Sequence, residues 1–336
     1  MRNPLRIVSI GGGNGLATLL RGLKRYAKAD PELVDITAIV TVTDDGGSSG
    51  RLRRDFDVLP PGDIRNCMVA LSEDEEMLGR LFQYRFSSGR GLKGHSFGNL
   101  FVTAMTQITG DFGQAVKLSS EVLAVLGCIY PSTPANVRLE ATLADGTHVL
   151  GETRISRSKS RIEKIELVPR KPKPLPETLD AIAQADLITL GPGSLFTSII
   201  PNLLVDGIPR AIAQSRALKA YFVNIMSQPG ETTNFRASDH VAALLRHAGR
   251  YRDRLLDTVV VNSHPVAERI AARYRAQDAR PVENDIDRLR AMNLRVVSAD
   301  MLRMPHKTAP QKIRHDQSVI AAIAIELAQQ GRRARQ

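Results

Sequence analysis

The sequence predicts an α/β protein built on a doubly wound, mostly parallel sheet with a small antiparallel insertion. Three observations carry this prediction: short apolar runs alternate with segments of helical spacing, glycine-rich turns follow several of the runs, and one hairpin pattern interrupts the alternation. Strands that alternate with helices form parallel sheets, because each crossover returns the chain to the same edge. At 336 residues the chain can bury a full core, and we expect one domain over residues 1–328 with a basic tail over 329–336.

The first element is a buried strand followed by a glycine loop and a helix. The apolar run LRIVSI leads into GGGNG, and leucines recur at helical spacing from Leu16. Such a unit directs unpaired N–H groups and the positive end of the helix dipole at an anion. The dinucleotide fingerprint needs glycine where Leu16 stands, and the Walker pattern needs a lysine that is missing. The alternative is a tight turn that binds nothing. The candidate phosphate-binding residues are Gly11, Gly12, Gly13, Asn14 and Gly15.

The second strand, ITAIVTVT, ends in the loop DDGGSSG. A parallel sheet places Asp44 and Asp45 at a carboxyl edge beside the first loop, where open α/β sheets bind ligands. Carboxylates suit Mg²⁺, so this pair is a tentative metal site. One alternative is that one aspartate closes the turn through an Asx hydrogen bond. Another is that an acidic residue here hydrogen-bonds a ribose, as in dinucleotide-binding proteins. The same loop adds the candidate contacts Gly46, Gly47 and Ser48.

Two later segments place polar residues at helix starts. PPGDIRN predicts a helix with Asp63 as a plausible N-cap. Arg65 then lies in the first turn, where it can bind either a phosphate or a surface carboxylate. GHSFGNL predicts a helix from His95 or Ser96, with a helical pattern through Val125. The candidate ligand-binding residues of these two starts are Asp63, Arg65, Asn66, His95, Ser96 and Asn99.

The middle of the chain contains the antiparallel insertion and a second glycine loop. NVRLEATLADGTHVLGETRI alternates apolar and polar residues around Asp145-Gly146, which predicts a hairpin, and RIEKIELVP extends it within residues 135–170. A short helix and the strand DLITL follow, and this strand ends in LGPGSLFTSIIPNL. The candidate contacts of this second loop are Gly191, Gly193 and Ser194, the last as a helix cap.

Two more strands, AYFVNI and DTVVVN, are each followed by a polar loop. The loop MSQPGETTNF supplies the candidates Gln228, Glu231 and Thr232. Because the carboxyl ends of parallel strands meet at one edge, all these loops should lie together. Two glycine-rich turns there can hold two phosphates or one pyrophosphate.

Charge and motif content narrow the function classes. The formal net charge of +11 favours acidic partners, but without Trp and with few interleaved aromatics the chain lacks stacking platforms for nucleic acid, so nucleic-acid binding is disfavoured. No nucleophile elbow, H-E-x-x-H or Cys–His pattern is present. Any catalysis would therefore depend on positioned phosphates and a metal, and Mg²⁺ is the one candidate cofactor.

Compartment signals favour the cytoplasm. The two cysteines, Cys67 and Cys128, lack metal-ligand spacing and suit reduced thiols. The N-terminus enters a strand within a few residues and has no signal-peptide pattern. Glycine and proline interrupt the apolar stretch from Leu187 to Val205, so no membrane span is expected.

Taken together, six motifs resemble the gluconeogenesis factor family (YvcK-like), a branch of the larger group that includes the 2-phospho-L-lactate transferase CofD. They are IGGGNGL, VTDDGGSSGRLR, PPGDIRN, GHSFGNL, GPGSLFTSIIPNLL and NIMSQPGET, and RHD at 314–316 resembles the C-terminal signature. The resemblance covers nearly the whole chain. It implies a Rossmann-like nucleotide-binding domain and a regulator that binds UDP-sugars such as UDP-N-acetylglucosamine and supports growth and cell shape on gluconeogenic carbon.

The transferase branch supplies the alternative function. Its matching loops hold a nucleotide-linked phospholactate, Mg²⁺ and a deazaflavin acceptor, and Asp44 and Asp45 correspond to its acidic loop. Asn14 departs from the family pattern, which has threonine there. The resemblance also implies that Tyr274 and Arg314 contact the base or the diphosphate, although Arg314 can instead form a salt bridge near a helix start. The chain lacks the dinucleotide fingerprint and a clear proton donor, which disfavours an NAD-type dehydrogenase. The sequence leaves open whether the protein forms a homodimer.

Overall fold

The computed structural model contains one large sheet and one small one. Its described residues are 3–30, 33–73, 76–158, 160–303 and 312–335. The strands are β1 Leu5–Gly11, β2 Val34–Val40, β3 Cys128–Pro131, β4 Arg138–Leu143, β5 His148–Leu150, β6 Ile162–Val168, β7 Leu187–Leu190, β8 Leu218–Phe222, β9 Thr258–Asn262 and β10 Arg295–Ala299.

Helices connect these strands. They are α1 Gly13–Ala29, α2 Gly47–Phe56, α3 Gly62–Leu71, α4 Met77–Gln83, α5 Phe97–Thr109, α6 Phe112–Val122, α7 Glu152–Ile155, α8 Pro176–Gln184, α9 Ile200–Leu203, α10 Ile208–Gln214, α11 Ala237–Ala248, α12 Glu268–Arg275, α13 Ile286–Ala291 and α14 Gln317–Arg333. A π-helical turn, Leu195–Ile199, precedes α9, and a 3₁₀ helix, Gly249–Arg254, follows α11.

The large sheet is parallel throughout and confirms the predicted α/β class. Its strand order is β10-β9-β8-β7-β1-β2-β3, with every neighbouring pair parallel. The order reverses between β1 and β7, where Ile10 lies opposite Leu190. In a doubly wound sheet this reversal opens a crevice at the carboxyl ends of the two central strands. The two glycine loops follow these two strands.

Helix α1 forms where the leucine spacing predicts it. Leu16, Leu19, Leu20 and Leu23 are fully buried in the core that includes β1 and β2. The helix packs on α3 and α14 as well as on the sheet. This packing fixes the N-terminus of α1, and therefore the first glycine loop, against the carboxyl end of β1.

The antiparallel insertion forms a separate three-stranded sheet in the order β5-β4-β6. Its hairpin turns where the sequence predicts, and Asp145 Oδ1 accepts a hydrogen bond of 2.9 Å from the Thr147 amide. Between β5 and β6 lies the single turn of α7. The inward residues of β4, Leu139, Ala141 and Leu143, are buried in the common core, so the insertion packs against the main fold.

Two details differ from the sequence predictions. The helical pattern through Val125 divides into α5 and α6, because Gly110 has a left-handed φ of 70° and Asp111 starts a new helix by accepting from Gln114. The edge strands β3 and β10 were not predicted. Helix α14 runs through Arg333.

The arginines near the C-terminus bind a buried acid. Arg332 and Arg335 both form ion pairs with Asp186, whose side chain is 6% exposed, and Asp186 also accepts from the Arg6 amide. Arg332 further donates to the carbonyls of Asn3 and Pro4. These contacts join the last helix to the start of β1 and β7.

Of the described helices, none is by itself both long and apolar enough to cross a bilayer. One adjacent pair, Leu195–Leu203 with Ile208–Gln214, meets the length and composition limits only when its members are taken together, and they are bent by 76°.

Candidate functional site

The two glycine loops touch each other at the reversal of strand order. An ideal Cβ on Gly15 would lie 2.4 Å from the carbonyl oxygen of Pro192 and 2.7 Å from Cα of Gly193. Only glycine therefore permits this close approach of two backbones. Gly13 has a left-handed φ of 60°, which turns the chain into α1. The contact brings two helix N-termini to one place.

Asn224, which follows β8, holds the second loop. Its Nδ2 donates to the Gly193 carbonyl at 2.8 Å, and its Oδ1 accepts from the Gly193 amide at 3.4 Å. Gln228 then donates to Ser194 Oγ at 2.8 Å. The backbone N–H of Gln228 in turn donates to Thr232 Oγ1. Ser194 starts the π-helical turn, as predicted, but its side chain makes no cap hydrogen bond to that turn.

A cleft of about 650 Å³ opens above the two loops. It falls within the range of about 300–1,000 Å³ that is typical of small-molecule sites. The predicted site residues that line it are Gly12, Gly13, Asn14, Gly15, Asp63, Gly193, Ser194, Gln228, Glu231, Tyr274 and Arg314. Gly11 ends β1, Gly191 directly follows β7, and Thr232 accepts a hydrogen bond from the Gln228 backbone amide.

Asp63 contacts the first loop instead of capping its own helix. Helix α3 starts at Gly62 without a side-chain cap, and Asp63 lies in its first turn. Its carboxylate accepts a hydrogen bond from the Gly13 amide. Burial, followed by the charge of Asp44, raises the pKa of Asp63 to about 7, and the Gly13 bond and Arg65 only partly offset this.

Glu231 performs the corresponding role at the second loop. Its oxygens accept from the Phe196 amide at 3.2 Å and from Thr197 Oγ1 at 3.0 Å, and Ser156 Oγ adds a bond of 3.3 Å. Burial raises the pKa of Glu231, and these hydrogen bonds oppose the rise. Three donors thus satisfy this carboxylate, which ties the second loop to the insertion.

Glu152 reaches the cleft from the insertion. It begins α7 and lines the cleft beside Asp63 and Glu231. Burial, and then the charges of Asp44 and Asp63, raise the pKa of Glu152 well above its usual value. Within the described residues, no group of three or more His, Cys, Asp or Glu side chains is arranged to hold a metal ion.

The predicted pair of aspartates separates into two different sets of contacts. Asp44 Oδ1 closes its turn by accepting from the Gly46 amide at 2.8 Å, the Asx alternative that the sequence left open. Asp45 Oδ1 accepts from the amide and the hydroxyl of Thr153 at 2.9 and 2.7 Å. Asp45 therefore docks α7, and with it Glu152, over the loops.

The remaining predicted residues form a polar network behind Asp44 and outside the cleft lining. Ser48 Oγ lies 2.9 Å from His95 Nδ1, and both residues are buried. Burial, followed by Arg51, lowers the pKa of His95, so the ring is neutral at pH 7. Arg65 donates to Ser96 Oγ and Asn66 Oδ1, and Asn99 donates to Ser49 Oγ. Gly47 starts α2 beside this network.

The C-terminal region also contributes to the cleft lining. Tyr274 Oη accepts from the Ile313 amide at 2.8 Å, which fixes the segment that contains Arg314. Arg314 is exposed and lines the cleft, and no ion pair joins it to another described residue. His315 bonds the Val223 carbonyl, and burial lowers its pKa to about 4. Asp316 caps α14.

Sequence reasoning missed several residues that line the cleft. Asn224 lies within the motif NIMSQPGET and could have been found there. Glu152 and Ser156 carry no local signal, because only the folding of the insertion over the loops brings them to the site. Other unpredicted lining residues are Thr18, Pro192, Thr197, Ser198, Ile225, Met226, Ser227, Pro229, Gln277, Ala279, Ile313 and His315.

The fold and the site define a doubly wound α/β protein with paired glycine loops at its topological switch point. The family described as 2-phospho-L-lactate transferase CofD matches residues 7–302. A putative gluconeogenesis factor from Nostoc is 49% identical over 97% of this chain and 69% of the relative. The gluconeogenesis factor of Bacillus subtilis is 47% identical over 96% of this chain and 98% of the relative.

Solved structures agree with these sequence matches. A crystal structure of a protein from Bacillus halodurans superimposes with a TM-score of 0.90 at 44% identity, covering 96% of this chain and 100% of that one. The chain therefore belongs to the CofD family and, within it, to the gluconeogenesis factors.

Proposed function

We propose that the protein is a regulator that binds a UDP-sugar of the UDP-N-acetylglucosamine type in the cleft above the two glycine loops. The observation that carries this proposal is the contact of Gly15 with the Pro192–Gly193 backbone, which places two helix N-termini side by side. Each N-terminus directs unpaired amides at an anion, and two adjacent anion sites suit a diphosphate.

The rest of the cleft suits the two ends of such a ligand. On one side, Tyr274 and Arg314 provide an aromatic ring and a guanidinium for the base or the diphosphate. On the other, the side chains of Glu152 and Ser156 line the wall and offer acceptors for sugar hydroxyls. The ligand would thus extend from the C-terminal region to the insertion.

Calorimetric titration tests this function. We expect micromolar binding of UDP-N-acetylglucosamine, on the order of −8 kcal/mol, and weaker binding of GDP and NAD. Arg314→Ala should weaken binding by about 10–150-fold, the effect of a lost charge-assisted hydrogen bond. Arg303→Ala is the matched control, because Arg303 pairs with the Arg314 backbone but does not line the cleft. Equal affinities for these two variants would contradict the assigned role of Arg314.

A second candidate, a Mg²⁺-dependent transferase acting on a nucleotide diphosphate-linked substrate, is favoured by the family match over residues 7–302. Its metal prediction involves Asp44 and Asp45, whose carboxylates contact Gly46 and Thr153 respectively. These contacts involve Oδ1 of each carboxylate, and the magnesium site stays a prediction. Metal-dependent binding of GDP, without binding of UDP-sugars, would favour the transferase.

The cellular role is proposed on the same basis. The names of the relatives connect them with gluconeogenesis, and we propose that ligand binding in the cytoplasm supports growth and cell shape on gluconeogenic carbon. A strain lacking the protein should grow poorly on such carbon, and the wild-type chain should restore growth. Restoration by a variant that cannot bind the UDP-sugar would separate the growth role from the cleft.

A further inference from the structure

At the second glycine loop, two backbone amides already have acceptors within the protein. The Gly193 amide donates to Asn224 Oδ1 at 3.4 Å. The Phe196 amide donates to Glu231 Oε2 at 3.2 Å. Ser194 lies between these two amides and lines the cleft, and its side chain makes no cap hydrogen bond to the turn that it starts. A ligand anion at this loop therefore needs a further donor, and the Ser194 hydroxyl is placed to be one.

Backbone groups fix the orientation of the Asn224 side-chain amide. Its Nδ2 lies 2.8 Å from the Gly193 carbonyl oxygen, which can only accept a hydrogen bond. Its Oδ1 lies 3.4 Å from the Gly193 amide nitrogen, which can only donate one. An exchange of the side-chain oxygen and nitrogen would place acceptor against acceptor and donor against donor. Asn224 therefore presents its Nδ2, a donor, to Gln228.

The orientation of the Gln228 side chain follows from that of Asn224. Asn224 Nδ2 donates to Gln228 Oε1 at 3.4 Å, which leaves Gln228 Nε2 to face Ser194 Oγ at 2.8 Å. The backbone of Gln228 is also held, because its N–H donates to Thr232 Oγ1 at 2.9 Å and its carbonyl accepts from the Thr232 amide at 2.8 Å. A side-chain amide nitrogen only donates, so Ser194 Oγ accepts this hydrogen bond.

The Ser194 hydroxyl consequently keeps its proton for another partner. A serine hydroxyl has one donor and two acceptor lone pairs, and the bond from Gln228 uses one of the lone pairs. Among the described residues, none accepts the Ser194 proton. The half-buried side chain borders the cleft, so the proton is available to an acceptor there. An acceptor that carries negative charge gives the stronger hydrogen bond.

The inference that follows rests on the proposed function and deepens it at the second loop. We propose that Asn224 and Gln228 form a hydrogen-bond relay that directs the Ser194 hydroxyl proton into the cleft, where it donates to a diphosphate oxygen of the ligand. Gln228 is then a positioning residue that acts through Ser194. The relay selects a ligand group that accepts at this loop and rejects one that can only donate, such as an ammonium group. No covalent bond forms or breaks.

The test is calorimetric titration of wild-type and variant proteins with UDP-N-acetylglucosamine and with inorganic pyrophosphate. Ser194→Ala should weaken the binding of both ligands by about 10–150-fold, the effect of a lost hydrogen bond to a charged acceptor. Gln228→Met removes the donor that orients Ser194 and should weaken both by about 2–10-fold, the value of one neutral hydrogen bond. In Ser194→Ala protein, Gln228→Met should change neither affinity further, because no hydroxyl is left to direct.

Gln228→Glu reverses the polarity of the relay. The side chain keeps its shape, but a carboxylate only accepts, so the Ser194 proton turns towards it and away from the ligand. Affinity should fall further than in Gln228→Met. Gln277→Glu is the matched control for the added charge, since Gln277 lines the same cleft and the described hydrogen bonds do not join it to Ser194. The loss in Gln228→Glu should exceed the loss in this control.

Three results would overturn the relay. They are an unchanged affinity of Ser194→Ala for both ligands, effects of Ser194→Ala and Gln228→Met that multiply in the double variant, and equal losses in Gln228→Glu and Gln277→Glu. Thermal unfolding without ligand checks that each variant folds, and Gln228→Glu replaces Gln228→Met in the double variant if the latter does not. Binding of pyrophosphate without binding of UDP-N-acetylglucosamine would contradict the proposed function, while the pyrophosphate series would still decide the relay. Binding of neither ligand by the wild-type protein would overturn both.

Discussion

Substituting Gly15 by alanine should separate the two glycine loops. The new Cβ would lie 2.4 Å from the Pro192 carbonyl oxygen, and since real Cβ atoms stay beyond about 3.0 Å from such neighbours, the backbones must move apart by about 0.6 Å. Overpacking of this kind costs about 1–3 kcal/mol. At an unfolding entropy of about 2.1 cal/mol/K per residue, the melting temperature should fall by about 1.5–4 °C.

The matched control is Gly11→Ala. A Cβ on Gly11 would lie 3.6 Å from Leu16 Cβ, which is an ordinary contact, and the residue ends β1 directly before the same loop. Differential scanning calorimetry gives the stability of both variants, and titration with UDP-N-acetylglucosamine gives their affinity. We expect Gly15→Ala to bind at least tenfold more weakly, with Gly11→Ala close to wild type. Equal stability and affinity of the two variants would refute the view that the loops must touch.

Three further predictions concern residues around the site and the C-terminus. Asp186→Ala should destabilise the fold by about 3 kcal/mol in chemical denaturation, because it leaves Arg332 without its buried partner; an unchanged denaturation midpoint would contradict this. A double-mutant cycle of Asp45→Ala with Thr153→Ala should give a coupling energy of about 1.5–3 kcal/mol for the hydroxyl bond, and a coupling near zero would show that the Thr153 hydroxyl does not help Asp45 to hold α7. Asp63→Asn should be more stable than wild type at pH 8, by an amount on the order of 4 kcal/mol. Since the pKa of Asp63 is raised to about 7 in the folded state, the wild-type penalty grows as pH rises from 4 to 7, and the advantage of the variant should disappear by pH 4.

The main sheet could be predicted because its central strands are short apolar runs that are followed by glycine-rich turns. β1 and β7 are almost fully buried, so their sequences carry no polar alternation. The edge strands carry weaker signals. β3 is four residues long and ends in proline, and β10 shows no buried alternation. Short edge strands form because a neighbouring strand provides hydrogen bonds, and the local sequence does not indicate that pairing.

The candidate site could be predicted at the level of loops but not of individual contacts. Strand ends identified both glycine loops, because parallel topology brings them to one edge. The contact of Asp63 with Gly13 depends on how α3 packs against α1, and the role of Asp45 depends on where the insertion folds. Such long-range placements leave no local pattern. Asp44 is the exception, since an aspartate before glycine closes its own turn.

The central claim is that both glycine loops hold one diphosphate. A crystal structure of the complex with UDP-N-acetylglucosamine tests it most directly. We expect the diphosphate over the amides of Gly13 to Gly15 and beside Gly193. A ligand bound in another cavity, or one that places its base or sugar instead of its diphosphate on the two loops, would contradict it.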